Sequence, residues 1–192
     1  MDVRHKAEDA TRDALREAAS RILRREGVRA LSLRRVAREA GVTTMGIYSR
    51  FGGKDGLLDA LHAEGFELLS EAQASLPEQA DPLEAIVAHA RAHRRMARDH
   101  QAHYQVMFER STGFEPSSVS RERATGSLEA LRAKVSDAVS RGALDGDPES
   151  IARAVFAQVH GTVALTLAGI EGGDGEAGHD AALRALLRGF AP

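Results

Sequence analysis

Apolar residues recur at helical spacing along nearly the whole chain. From about Asp9 to Glu26 the stripe is Leu15, Ala18, Ala19, Ile22 and Leu23, and Gly27 stops it. Val28 and Leu31 then bridge to a second segment, where Leu33, Val36, Ala37 and Ala40 fall at i, i+3, i+4 and i+7. Ser32 stands just before that face, placed to cap a helix by accepting a backbone N–H bond. Gly41 follows it, where a residue free to take positive φ ends a helix most cheaply. Val42 is expected to point back to the core. Thr43 is placed to cap another short helix, Thr44 to Phe51, with Ile47 and Phe51 inward. Two short helices joined by a tight turn are therefore predicted between Leu31 and Phe51.

Gly52-Gly53 reads as a flexible joint before a helix from Lys54 or Asp55 to about Ala74, carrying Leu57, Leu58, Leu61, Phe66 and Leu69. Pro77 and Asp81-Pro82 break the pattern. A helix from Leu83 to about Arg98 follows, with Leu83, Ile86, Val87 and Ala90 inward, and then a short apolar helix, Tyr104 to Phe108. Residues 111–118 read as a loop and about Ser120 to Arg141 as a long helix with Leu128, Leu131, Val135 and Val139 on one face. After a turn at Gly142 to Pro148, the helix from Glu149 to Ile170 is apolar almost all round, which predicts burial on more than one side. A glycine-rich loop over 172–178 precedes a last helix, Asp180 to Gly189, with Leu183, Leu186 and Leu187. No strand pattern is visible. The expected fold is all-α: a three-helix head with a helix-turn-helix (residues 1–54) on a larger helical body (residues 55–192), about nine helices in all.

The chain has 192 residues and no cysteine, so disulfides and thiolate chemistry are excluded, and a reducing cytoplasm is the expected location. No apolar run approaches the roughly 18 residues needed to span a membrane, so no membrane partner is expected. The first residues are charged and lack a signal peptide's apolar stretch. Charge changes the picture more. Residues 1–54 hold 13 Lys+Arg and 7 Asp+Glu, against 13 and 21 in the remainder. A basic head on an acidic body suits a protein that holds a polyanion at one end. Arg4 and Lys6 are expected in an arm ahead of the first helix, as solvated charge.

The candidate chemistry sits in two places. The exposed side of the Thr44 to Phe51 helix carries Thr44, Gly46, Tyr48, Ser49 and Arg50, a small, hydroxyl-bearing and cationic face of the kind that lies in a DNA major groove. Tyr48 is placed for a phosphate oxygen, and Lys54 adds a charge at the N-terminus of the next helix, whose free N–H groups suit a phosphate. Further on, His89, His93, His100 and His103 lie among arginines. His89 and His93 have metal-ligand spacing, but no carboxylate or cysteine completes a set, and a solvated or partly buried face is expected, with no metal and no cofactor. His160 lies in an apolar helix and needs a polar partner. An enzyme or small-molecule carrier using His160 and His89/His93 is the rival reading. It lacks a nucleophile–base pair and a phosphate-binding loop.

Ala40-Gly41-Val42-Thr43 after a helix, then a short helix holding Tyr48 and Phe51, then Gly53-Lys54 opening another, resembles the TetR family of bacterial transcriptional regulators. The family often has a small residue where Met45 stands. The resemblance implies that the second short helix, Thr44 to Arg50 with Met45 and Gly46, enters the groove of a double-stranded palindromic operator, and that Ser32 and Thr43, beyond capping, contact phosphates. It also implies a homodimer in which the last two helices pair as a four-helix bundle, and a ligand-responsive repressor rather than an enzyme. Phe156 followed by His160-Gly161, and Tyr104 to Phe108, resemble a subgroup whose C-terminal domain carries Trp-x-x-x-His-Gly. Phe66, Met96, Tyr104, Met107, Phe108, Phe156 and His160 are therefore expected to line a mostly apolar cavity for a hydrophobic small-molecule effector.

Overall fold

A computed structural model describes residues 3–108, 113–170 and 175–192, with side chains from residue 9 onward. Among these residues the regular structure is entirely helical. The helices are α1 (Val3–Glu26), α2 (Leu33–Ala40), α3 (Thr44–Phe51), α4 (Lys54–Ala74), α5 (Pro82–Asp99), α6 (Gln101–Phe108), α7 (Ser118–Ser140), α8 (Pro148–Leu167) and α9 (Gly175–Arg188), with a 3-10 turn at Val28–Ala30. No helix among the described residues is long and apolar enough to cross a membrane.

Helix boundaries differ from the sequence reading where nothing in the intervening residues breaks a helix. Arg4 and Lys6 belong to α1, not to an arm, because no glycine or proline separates them from the apolar stripe. Likewise α9 starts at Gly175, within the expected glycine-rich loop, and residues 171–174 fall outside the described ones. Part of the expected 111–118 loop is also outside them, and α7 begins at Ser118. α8 ends at Leu167, short of Ile170, because Gly169 takes a left-handed φ of 71° and its N–H bonds to the Thr166 carbonyl.

The chain divides into two compact units, Met1–Glu67 with His100–Arg123, and Leu68–Asp99 with Ala124–Pro192, so the division falls within α4 and α7. In the first, the stripe of α1 (Leu15, Ala18, Ala19, Ile22, Leu23) buries against Val36 and Ala37 of α2, Ile47 and Phe51 of α3, and Leu57, Leu58 and Leu61 of α4. Each fully buried leucine or isoleucine contributes about 1.5–3 kcal/mol over leaving it exposed, so this core holds the short helices α2 and α3, which are too short to be stable alone. Ion pairs join α1 to α2 at its rim: Glu26 with Arg35, and Glu39 with Arg21 and Arg25. In the second unit, Ile86, Val87 and Ala90 of α5 pack with Leu131 and Val135 of α7, Ile151, Val155 and Val159 of α8, and Leu183 and Leu187 of α9.

Candidate nucleic-acid interface

The turn between α2 and α3 is built as its residue types dictate. The Ser32 side chain accepts from the Arg35 N–H at 3.4 Å, a long capping bond, and opens α2. Gly41 closes it in the left-handed region (φ 69°), and its N–H reaches the carbonyls of Ala37 and Arg38. Val42 is half-buried against the core. Thr43 occupies the cap position of α3 with extended backbone, but its hydroxyl makes no capping bond, contrary to expectation. The first-turn N–H of Gly46 is satisfied instead by the Thr43 carbonyl, at 3.0 Å.

Burying Ile47 and Phe51 fixes the rotation of α3, and that rotation decides what faces outward. Thr43, Thr44, Ser49 and Lys54 are exposed; Met45 is 71% and Tyr48 55% exposed, although both are large and apolar in part. Gly46 and Arg50 are half-buried, and the Ser49 hydroxyl is turned back to the Gly46 carbonyl at 3.0 Å. The Arg50 Nε is buried without a hydrogen-bond partner. Lys54 forms no ion pair among the described residues. The structure therefore brings Thr43, Thr44, Met45, Tyr48 and Lys54 to one surface, with Ser32 exposed at the start of α2.

Three further residues hold this surface in place: Gly53, which the sequence marks as part of a joint, and Gly56 and Arg12, of which the helical pattern gives no sign. A Cβ on Gly53 would come within 3.6 Å of Tyr48 Cε1, so the tyrosine ring rests on the Gly52-Gly53 corner, where both glycines have positive φ. A Cβ on Gly56 would lie 1.8 Å from the Phe51 carbonyl oxygen, so only glycine lets the start of α4 approach the end of α3 this closely. Arg12 of α1 donates from Nη1 to the Arg50 carbonyl at 3.1 Å, with its guanidinium 4.9 Å from the centre of the Phe51 ring. Arg12 thus braces the C-terminal end of α3, where unpaired carbonyls gather negative partial charge.

Comparison with known families matches this surface and much of the remaining chain. Residues 15–61 match the sequence model of bacterial regulatory proteins of the tetR family, and residues 86–190 match the tetracyclin repressor-like C-terminal domain. The chain belongs to the TetR family. It is a DNA-binding transcriptional regulator with a helix-turn-helix head and a helical body, and TetR-family regulators are generally non-enzymatic. A comparison with curated proteins finds no match. Among solved structures, a protein of unknown function from Rhodococcus sp. RHA1 is 29% identical over 95% of this chain and 96% of its own, with a TM-score of 0.81. The TetR family transcriptional regulator PfmR from Thermus thermophilus is 23% identical over 91% and 97%, with a TM-score of 0.69. RolR, solved in complex with resorcinol, is 16% identical over 97% and 90%, with a TM-score of 0.71. The last two likenesses concern the TetR fold.

The residues expected to hold a TetR effector fall in both units. In the first, Phe66, Tyr104 and Phe108 form a ring cluster (Phe66–Phe108 5.7 Å, Tyr104–Phe108 4.6 Å between centroids) that also includes His62. Met107 packs against Gly65, where a Cβ would come within 2.6 Å of its sulfur. In the second, Met96 is buried, and Phe156 and His160 stack with centroids 6.1 Å apart and planes 5° from parallel. Burial pushes the His160 pKa down and keeps the imidazole neutral.

The histidine-rich segment differs from the solvated face expected of it. His89 and His93 are buried in the second unit, and His103 is buried completely in the first. Burial holds His89 down at about 4, helped by the nearby Lys134 charge, and His93 at about 3, helped by His89. Neutral rings can be packed as aromatic surface: His93 meets Phe156 edge-on at 5.8 Å. Among the described residues no group of three His, Asp or Glu is gathered to hold a metal. Three of the four α5 arginines are matched to acids within the unit, and Arg95 is exposed. Arg91 and Arg94 both bond to Asp180, and Arg98 bonds to Glu176 at 3.1 Å. Burial raises the Asp180 pKa, but the two guanidinium groups outweigh it and hold the carboxyl below its usual range. A cleft of about 670 Å³ also lies in this unit, with Gln73, His89 and Lys134 on its walls.

Proposed function

We propose that this TetR protein is a ligand-responsive repressor that binds a palindromic operator as a homodimer, with residues 1–54 as the DNA-binding domain and 55–192 for effector binding and dimerisation. In this reading the exposed face of α3 lies in the major groove. Thr44, Met45, Gly46, Ser49 and Arg50 face base edges or the adjoining backbone, while Tyr48, Lys54, Ser32 and Thr43 contact phosphates. The observation that carries the reading is the solvent-facing set Thr44, Met45, Tyr48 and Lys54, held on a rigid core and without ion-pair partners among the described residues. A helix face that displays a large thioether and a phenol to water is poorly explained as a solvated surface.

Dimerisation is assigned to the last two helices, where Leu165 is 50% exposed and Leu186 only half-covered, with Ile170 (65% exposed) and Phe190 just beyond their ends. The effector is assigned to Phe66, Tyr104, Met107 and Phe108 in one unit and Met96, Phe156 and His160 in the other, and its class to small hydrophobic molecules. Effector binding would favour a dimer whose heads are spaced wrongly for the operator, with a coupling of about 1–3 kcal/mol. The protein acts in the cytoplasm, carries no catalysis and needs no cofactor or metal in this reading.

A gel shift of the purified protein on DNA from upstream of its own gene tests the core of the proposal. A shift competed by the same DNA but not by an unrelated fragment is expected, together with a dimer in light scattering at micromolar concentration. A monomer that shifts no upstream fragment overturns it.

A further inference from the structure

Few of the residues that α3 turns outward have a polar group free to read a base. Gly46 has no side chain, and the Ser49 hydroxyl is taken up by the Gly46 carbonyl at 3.0 Å. Arg50 is half-buried, and its carbonyl is held by Arg12. The Tyr48 ring rests against Gly53 at the other end of the helix. That leaves the first turn, where Thr44 and Met45 are both exposed. Met45 takes no part in the head core, which Ile47, two residues on, enters completely. A single methionine in water needs no explanation. This one has Tyr48 three residues on, so two large side chains with apolar surface share one side of an eight-residue helix. Helical side chains lean toward the N-terminus, and the N-terminal residues of a recognition helix are the ones that reach base edges.

We propose that Met45 determines sequence preference by packing its thioether end on the C5-methyl group of a thymine in each operator half-site. The inference rests on the reading that α3 lies in the major groove. A thioether donates no hydrogen bond and accepts only weakly, so it tells base pairs apart poorly by polar contact. In the major groove thymine alone carries a methyl group; the other bases show hydrogen-bond donors and acceptors there. Closing Met45 onto that methyl removes apolar surface of both from water. Its unbranched chain has three rotatable bonds and fits an irregular groove floor without strain. Opposite cytosine the same side chain finds no methyl and covers an amino group that it cannot satisfy.

The test uses the full-length protein and a duplex that it enriches from a randomised DNA library, with affinity read by fluorescence anisotropy. Each thymine is replaced in turn by deoxyuridine, which removes the methyl group and keeps every hydrogen-bonding group. One thymine in each half-site is expected to be sensitive. Affinity should fall about four-fold for one methyl and about sixteen-fold when both half-sites are changed. Met45→Ala is expected to bind the thymine and deoxyuridine duplexes equally, and to melt with the unmodified protein because its side chain lies outside the head core. Met45→Leu keeps an apolar end and should keep the preference. Met45→Gln has similar length without that end and should lose it, so this pair decides the matter should Met45→Ala bind too weakly to measure. Absence of any deoxyuridine-sensitive thymine overturns the proposal and leaves the DNA reading intact. So does a sensitivity unchanged in Met45→Ala or Met45→Gln, which would assign the methyl contact to another residue such as Thr44. A library from which no sequence is enriched overturns the DNA reading and this inference with it.

Discussion

α3 and α5 carry the same kinds of residue and put them to opposite use. Each has arginine and ring-bearing side chains close together in sequence. On α3 the apolar pair Ile47 and Phe51 is buried, and Met45, Tyr48 and the neighbouring Lys54 stay in water with no charged partner among the described residues. On α5 the ring-bearing His89 and His93 are the buried ones, and Arg91, Arg94 and Arg98 close onto Asp180 and Glu176. A run of positive charge is therefore not a nucleic-acid site by itself. Charge matched inside the chain has little left to offer a phosphate, whereas unmatched charge on a small rigid helix keeps its field for an outside partner.

The largest effect should come from breaking the geometry that displays α3. Gly56→Ala places a Cβ against the Phe51 carbonyl, a contact with backbone that no side-chain rotation relieves. It is expected to cost about 3 kcal/mol and to abolish operator binding, read by thermal melting and gel shift. A melt within a degree of the unmodified protein would show that α4 can start elsewhere. Next in size is the charge contrast itself. Lys54→Ala should weaken binding to every DNA sequence and lower the salt slope by about one per lost contact, about two for a dimer. Arg98→Ala removes the same charge from α5, where Glu176 matches it, and should change neither quantity. Equal losses from both substitutions would erase the distinction drawn between the two helices.

The buried histidines make a prediction of their own. The pKa values of His89 and His93 in the folded chain, about 4 and about 3, lie below the unfolded value near 6.5. Between these values the unfolded chain binds more protons, so stability is complete above about pH 6.5 and falls as pH drops toward 4. Each histidine contributes a slope of up to about 1.4 kcal/mol per pH unit. Denaturant melts from pH 7 to 4.5 should show the decline, and His89→Gln should flatten it. Asp180, with its lowered pKa, acts in the same direction only at still lower pH. A stability profile flat from pH 7 to 4.5 would mean these rings are not held neutral. The smallest effect compares the two caps. Ser32→Ala should cost about 0.5 kcal/mol, the low end for a cap because its bond is long, and Thr43→Ala less, since its hydroxyl makes no capping bond. Thermal melts of the two variants rank them, and a larger loss from Thr43→Ala would reverse the assignment.

The sequence by itself determined the helices and the helix-turn-helix, because both depend on short-range physics. Leu33, Val36, Ala37 and Ala40 repeat at the helical period, and Gly41 is one of the few residues that closes a helix at φ 69° without strain. Ile47 and Phe51, four apart, were enough to say which side of α3 faces outward. What only the tertiary structure decided are contacts between residues far apart in the chain. Gly56 looks like any tolerated helix glycine until the Phe51 carbonyl is seen against it, and Arg12 lies 38 residues from the carbonyl it braces. Asp180 lies 86 residues from Arg94, so no local pattern could reveal that Arg91 and Arg94 are spent on one carboxylate inside the fold. Periodicity reports which side of a helix is apolar. It carries no information on which distant side chain will arrive to neutralise a charge, because that depends on how the helices pack.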